Sequence, residues 1–229
     1  MLQGESYSNK SRFYVAVDCV IFGYQDEDLK LLVYPRRFEP SFQDWSLMGG
    51  FVQDQESLEM AARRVLKITV GLENLFLEPV GEFSKVDRDP GARVISMAYF
   101  ALIRIDEHDK KLVSERGGKW YSLDEVPNLV FDHSEMVESA LKKLQRRASF
   151  ELMGKDLLPE KFTLTQLNNL YNAIYQRNFD AGNFRKKISS LKVLEQLTIK
   201  DTNTSKRGAY YYRFTKDAEY LNHDRIVKY

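Results

Sequence analysis

The chain is short of several residue types, and each shortage closes a class of function. It holds one cysteine, Cys19, in 229 residues. A single thiol makes no internal disulfide, so a stapled secreted scaffold is excluded and a reducing cytoplasm is the expected setting. There are three histidines, and no Cys–His cluster has the spacing of a zinc site, so no metal is expected. No serine lies in a nucleophile-elbow motif. No apolar run nears the roughly 18 residues of a membrane helix. The apolar stretch from Phe13 to Phe22 is broken by Asp18 and lacks a small-residue cleavage site, so no signal peptide is expected. Internal repeats and low-complexity tracts are absent too.

What is present fits a soluble globular protein of two modest domains or one large one, with 43% hydrophobic and 29% charged residues. The net charge of +1 hides an asymmetry. Residues 1–145 hold 18 Lys+Arg against 24 Asp+Glu, whereas residues 146–229 hold 16 against 9. An acidic front half and a basic back half direct only the back half toward a polyanion.

The front half reads as strands around one strong helix. "FYVAVDCVIFGY" and "LKLLVYPRR" flank the acidic turn 25–28 and predict a hairpin. Leu58, Ala61, Ala62, Val65, Leu66 and Thr69 recur at helical spacing over Ser57–Thr69, with Gly71 as the stop. "LEPVGEFSKV" and "RVISMAYFALIRI" are two further strands around the turn-rich loop 87–91. "KWYSLDEVPNLVFDH" opens as a short strand, and a helix over Ser134–Arg147 follows with Ser134 as its N-cap. Composition turns basic past Gly154–Pro159. The pattern from there is three short helices and then a hairpin within "TIKDTNTSKRGAYYYRF", with a basic tip at Lys206-Arg207-Gly208.

The most informative stretch is "GGFVQDQESLEMAARRVLKITVGL", Gly49 to Leu72. Gly50, Glu56, Arg64, Leu66, Gly71 and Leu72 fall in the register of the Nudix box, which this segment resembles. By that resemblance Glu56 ties the loop to Arg64. The three positions where that family carries its metal-binding glutamates are here Val65, Ile68 and Thr69. On a helix these positions share a face, where carboxylates would hold magnesium against a diphosphate. Two aliphatics and a threonine supply no such charge. The expectation is a retained fold with lost chemistry: not an enzyme, and with no cofactor.

Asp87, Arg88, Asp89 and Arg93 crowd two acids and two bases into one loop. Carboxylates accept from sugar hydroxyls, and arginine forks suit phosphates; a solvated loop of mutually paired charges is the equal alternative. "DRDPGARVISMAYFAL", "WSLMGGFV" and "VFDH" together look like the Nudix-related transcriptional regulators of bacteria. That resemblance implies an effector domain sensing ADP-ribose or a pentose such as arabinose, and a C-terminal winged helix on DNA. The implied fold class is α+β: a Nudix-like mixed-sheet α/β/α sandwich over residues 1–150, then a winged helix-turn-helix over 151–229. Loss of the box acids favours a neutral sugar or sugar derivative, although Arg36, Arg37, Arg88 and Arg93 could hold a phosphate without metal. The expected ligand contacts are Asp18, Arg37, Phe51, Phe83, Asp87, Arg88, Asp89 and Arg93. Phe51 and Phe83 could stack on a sugar or base face or be core aromatics, Trp45 is a pocket wall or core, and His133 is either a site residue or a turn residue bonded to Asp132.

In the back half, a recognition helix starting near Ala181 carries Asn183, Arg185, Lys186 and Lys187, suited to base edges and phosphates. Thr163 and Thr165 mark the start of the preceding helix, where backbone amides meet a phosphate. Ser205, Lys206 and Arg207 form the wing tip. A homodimer on a palindromic operator, with repression relieved by effector, is the expected arrangement. Two alternatives stand beside it. One is a metal-dependent hydrolase of a nucleoside diphosphate derivative, using Glu56, Glu59 or Asp87; the other is a protein-interaction adaptor.

Overall fold

Strand β1 (Tyr14–Gln25) is the spine of the molecule. Its alternate side chains enter two different cores: Val17, Cys19 and Ile21 on one face, and Val20, Phe22 and Tyr24 on the other. A strand covered on both faces reads as a nearly unbroken apolar run, as this one does. The computed structural model describes residues 10–71, 73, 75–105, 107–155, 157–202, 208–216 and 226.

β1 turns back on β2 (Asp28–Pro35) through Asp26 and Glu27, both with left-handed φ of 52° and 62°. Two positive φ values in a two-residue turn match the right-handed twist of a hairpin. The chain then forms β3 (Trp45–Ser46) and β4 (Met48–Phe51), followed by helix α1 (Leu58–Thr69). β5 (Glu78–Phe83) and β6 (Val94–Arg104) come next, then α2 (Glu107–Glu115), β7 (Lys119–Ser122) and α3 (His133–Ala148). The mixed sheet runs β3-β2-β1-β6-β5, with β4 also on β1 and β7 also on β2; β1 and β6 are parallel. α1 starts where the Ser57 hydroxyl accepts from the Met60 amide at 3.2 Å. It buries Ala61, Ala62, Val65 and Leu66 on one face of the sheet. α3 buries Met136, Ala140 and Leu144, one per turn, on the other. The expected α/β/α sandwich is the observed one.

Past α3, a small unit combines β8 (Phe162–Thr163), α4 (Leu164–Tyr175), α5 (Ala181–Ser190), β9 (Leu194–Asp201) and β10 (Ala209–Phe214), with strand order β8-β10-β9. This is a winged helix, and two details differ from expectation. The described residues hold two helices here, α4 and α5, rather than three. α5 stops before Lys192, whose φ of 55° is left-handed, and β9 begins at Leu194 rather than Thr198, where it pairs with Phe214. Further upstream, the cap of α3 is Asp132 rather than Ser134, and its carboxylate makes no capping bond because Arg88 holds it.

One hydrophobic core crosses from the sheet through α3 into the winged helix, joining Phe22, Phe100 and Leu144 to Leu167, Leu170, Tyr171 and Ile174. Polar bonds bracket the crossing. The Gln145 amide donates to the Ile174 carbonyl at 3.1 Å, and the Tyr175 hydroxyl donates to the Gln145 carbonyl at 2.8 Å. Leu144 has no exposed surface at this junction. Leu144→Ala therefore lowers the unfolding free energy by about 2–5 kcal/mol, measured by urea titration. A loss well under 1 kcal/mol would show that α3 does not seal this core.

Candidate functional site

The pocket opens between the ends of β1, β2 and β4, the β5–β6 loop and the start of α3. A cavity of about 140 Å³, open in part to solvent, lies between Asp18, Arg36, Arg37, Phe38, Phe51, Thr69, Arg88, Asp89, Phe131 and His133 together with residues 46–50.

Its floor is a buried charge cluster. Arg88 grips Asp132 with two bonds, Nε to Oδ2 at 2.8 Å and Nη2 to Oδ1 at 2.7 Å. The same Nη2 lies 3.6 Å from Asp18 Oδ2, which also accepts from the Ser96 hydroxyl at 2.6 Å. Burial works against the Arg88 cation, but the bond from Asp132 and the charges of Asp18, Asp132 and Asp89 outweigh it and raise its pKa. Gly49 makes room for this arrangement, since a β-carbon there would overlap Asp18 Oδ1.

His133 completes the floor. Its Nδ1 accepts from the Leu47 amide at 3.1 Å, leaving the proton of the neutral ring on Nε2, 3.7 Å from Asp18 Oδ1. Burial lowers its pKa, opposed by Asp18 and Asp132 and reinforced by Arg88 and Arg36. The floor therefore holds two carboxylates, one guanidinium and a neutral imidazole.

The walls are aromatic and cationic. The Arg36 guanidinium sits 4.1 Å from the Phe38 ring centre and 4.8 Å from that of Phe131. Phe131 reaches it from a left-handed backbone, φ 54°, a conformation a phenylalanine adopts only under constraint. Phe51 stands half out of the surface at the rim, 5.2 Å from the ring of Tyr14.

The box beside the pocket keeps its frame. Arg64 bonds Glu56 through Nε to Oε2 at 2.8 Å and Nη2 to Oε1 at 2.5 Å, and also donates to the Phe51 carbonyl at 2.9 Å. This bond holds the Glu56 carboxyl below its ordinary pKa. The three replaced positions have separate fates: Val65 is buried in the core, Ile68 is 66% exposed, and Thr69 edges the pocket. Glu59 pairs with Arg63 at 2.8 Å. Among the described residues, no group of three or more His, Cys, Asp and Glu side chains is placed to hold a metal ion.

Of the eight expected ligand residues, Asp18, Arg37, Phe51, Arg88 and Asp89 line the pocket. Phe83 instead packs half-buried against the core, and Asp87 is exposed outside the lining. Arg93 turns away to cover Phe13 and donates to the Lys85 and Val94 carbonyls. Trp45 meets Tyr121 edge-on and is no pocket wall. His133 is bonded to Leu47 rather than to Asp132. Sequence reasoning missed Phe38, Phe131 and Asp132. The "VFDH" run was visible, but nothing in it announces the left-handed Phe131 that aims the ring.

On the winged helix, Asn183, Arg185 and Lys186 are exposed and Lys187 is half-buried on α5, which Asp180 caps by accepting from the Asn183 amide at 2.8 Å. Thr165 is exposed, but Thr163 is buried with both polar groups used. Its amide donates to Gln166 Oε1 and its hydroxyl accepts from the Gln166 amide, a capping box that makes Thr163 the N-cap of α4 and ties up its backbone amide. Ser205, Lys206 and Arg207, and Leu72 of the box, lie outside the described residues. Among the described residues no helix is long and apolar enough to cross a membrane.

Comparison with known proteins agrees with both halves. Residues 12–140 match the NUDIX domain, and residues 154–214 match the NrtR DNA-binding winged helix domain. The ADPR responsive transcriptional repressor NtrR of Acinetobacter baylyi is 30% identical over 94% of this chain and 87% of that relative. The crystal structure of Shewanella oneidensis NrtR complexed with a 27mer DNA superposes with a TM-score of 0.73 at 26% identity, covering 93% of this chain and 98% of that one. The NUDIX domain of the same Shewanella protein, complexed with ADP ribose, is 25% identical with a TM-score of 0.53, over 61% of this chain and 94% of that one.

The lowered pKa of His133 gives a stability signature. The unfolded ring takes a proton near pH 6.5, while the folded ring takes one only at lower pH. Below the unfolded value the unfolded chain binds more protons, so stability is lost as the pH falls through it. Urea titrations from about pH 7.5 to about pH 5 should show this loss, and His133→Asn, whose Oδ1 can replace Nδ1 as acceptor, should make it shallower. An unchanged slope in the variant would mean that His133 is not the buried neutral group.

Proposed function

The chain belongs to the Nudix-related transcriptional regulators, a NUDIX domain joined to an NrtR-type winged helix, and from that premise we propose that it is an ADP-ribose-responsive repressor without hydrolase activity. The observation that carries the reading is an intact pocket beside a box whose acid positions are Val65, Ile68 and Thr69. Such a pocket keeps binding capacity after the metal platform is gone. The repressor of Acinetobacter baylyi and the ADP ribose complex of the Shewanella domain favour ADP-ribose over a pentose such as arabinose.

We place the sensor in residues 1–150 and the operator reader in 151–229. Asp18, Arg37, Phe51, Arg88 and Asp89 serve the effector. Asn183, Arg185, Lys186 and Lys187 serve the DNA, together with Ser205, Lys206 and Arg207. One winged helix reads a short site, so two copies of the chain on a palindrome complete the operator complex. Both ligands belong to the cytoplasm. α3 links the sites: it starts at the pocket floor and ends in the core of α4. Effector binding changes operator affinity by its differential affinity for the two arrangements of α3.

The test begins with a genomic DNA fragment selected by the full-length protein. ADP-ribose should release it, arabinose should not, and ADP-ribose should survive long incubation with protein and magnesium. Metal-dependent conversion to AMP and ribose phosphate would restore the hydrolase reading, and indifference of the DNA complex to ADP-ribose would sink the proposed effector. On the DNA side, Lys186→Ala should reduce the salt slope of fragment binding by about 1 without changing which fragment is chosen. An unchanged slope would remove Lys186 from the phosphate contacts.

A further inference from the structure

Four arginines were candidates for holding an anion without metal, and their surroundings separate them. Arg88 is enclosed by Asp132 and Asp18. A ligand anion there would have to displace a carboxylate from a buried pair, which leaves that charge unpaired. Arg93 bonds two backbone carbonyls outside the pocket lining. Arg37 lines the pocket but is exposed, and its Nη2 is taken by the Tyr34 hydroxyl and the Arg116 carbonyl. Charges in full solvent attract weakly.

Arg36 differs on every count. Its backbone is pinned at the end of β2, with its amide donating to Asp44 O at 2.9 Å and its carbonyl accepting from Gln43 at 2.9 Å. Its side chain is pinned as well. Nε donates to the Pro40 carbonyl at 2.6 Å, and Phe38 and Phe131 flank the guanidinium. Among the described residues Arg36 makes no other hydrogen bond or ion pair, so both terminal nitrogens keep their N–H groups for a ligand in the pocket that this residue lines. Burial pulls its pKa down, against the attraction of the more distant Asp89, Asp18 and Glu39. The cation has given up water without gaining a contacting anion.

We infer that Arg36 receives the diphosphate of the effector, doing by a fixed guanidinium fork what a metal on the box glutamates would do. The inference rests on the ADP-ribose reading of the pocket and names how that ligand is held. A planar fork locked between rings presents two parallel donors to phosphate oxygens at little further ordering cost. Phe51 at the rim remains for the flat face of a base or sugar.

The test is calorimetric titration of the full-length protein with ADP-ribose and with adenosine, in a metal chelator. Wild type should bind ADP-ribose without metal. Arg36→Met should weaken ADP-ribose about 10- to 100-fold and adenosine far less, so that the preference for the phosphate-bearing ligand collapses. Arg36→Lys, which keeps charge but loses the fork and the stacking, should lose about tenfold, and it decides the matter should the methionine variant fail to fold. Arg93→Met, outside the pocket lining, should change ADP-ribose binding about threefold at most. ADP-ribose binding that requires magnesium, Arg36 variants that bind as wild type does, or equal losses for both ligands would each overturn the inference. Wild type that ignores ADP-ribose with and without magnesium would instead overturn the effector reading itself.

Discussion

The Arg88 guanidinium between Asp132 and Asp18 is the constraint from which the sensor half takes its shape. It joins three segments far apart in sequence: β1 through Asp18, the β5–β6 loop through Arg88, and the start of α3 through Asp132. The side chains of all three are at most 8% exposed. In such surroundings a lost partner leaves a buried charge uncompensated, at a cost on the order of 3–5 kcal/mol. The cluster fixes where α3 begins and diverts the Asp132 carboxylate from capping that helix. His133, carried on the first turn, then enters the pocket floor as a neutral acceptor for Leu47.

The box shows which parts of a catalytic motif are architectural. Arg64 and Glu56 remain as a bidentate pair that also secures the Phe51 carbonyl, so the loop over the pocket keeps its path. The three positions where the family carries acids each answer here to a different local demand. Val65 fills the core against Gly50, Ile68 faces solvent, and Thr69 borders the cavity. The polar chemistry of the pocket lies in arginine and aspartate supplied by β1, the segment after β2, the β5–β6 loop and the start of α3.

Much of this was legible in the sequence, for identifiable reasons. Period-two and period-3.6 patterns located β1, β2, β5, β6, α1 and α3, because each buries one or two well-defined faces. The short β3, β4 and β8 were not legible, since two to four residues carry no period. α2 was missed as a charged segment. Asp18, Arg88 and Asp89 were found by charge type in suggestive places. Phe83 and Arg93 show the limit of that reasoning: alternation alone does not say which face of an edge strand a ring joins, and a loop arginine finds its nearest carbonyls. Phe131 and Asp132 depended on a left-handed residue just before α3, a backbone choice that tertiary packing imposes and local sequence does not encode.

The arrangement of the two sites follows from α3 being shared. Its first turn supplies His133 to the pocket, and Phe131, two residues before it, lays its ring on Arg36. Its last turns place Leu144 and Ala148 in the same core as Leu167 and Tyr171 of the winged helix. A packed core has discrete arrangements and resists continuous deformation. The Phe131 ring that flanks Arg36 is thereby tied to the helix end whose register Arg88 and Asp132 hold. Gln145, Ser149 and Tyr175 are bonded across the junction, so α3 meets α4 through fixed contacts rather than through a linker. α5 follows α4 because Phe184 and Ile188 pack in that same core. The exposed face carrying Asn183, Arg185 and Lys186 thus stands on a helix packed in the core that α3 shares with the pocket floor.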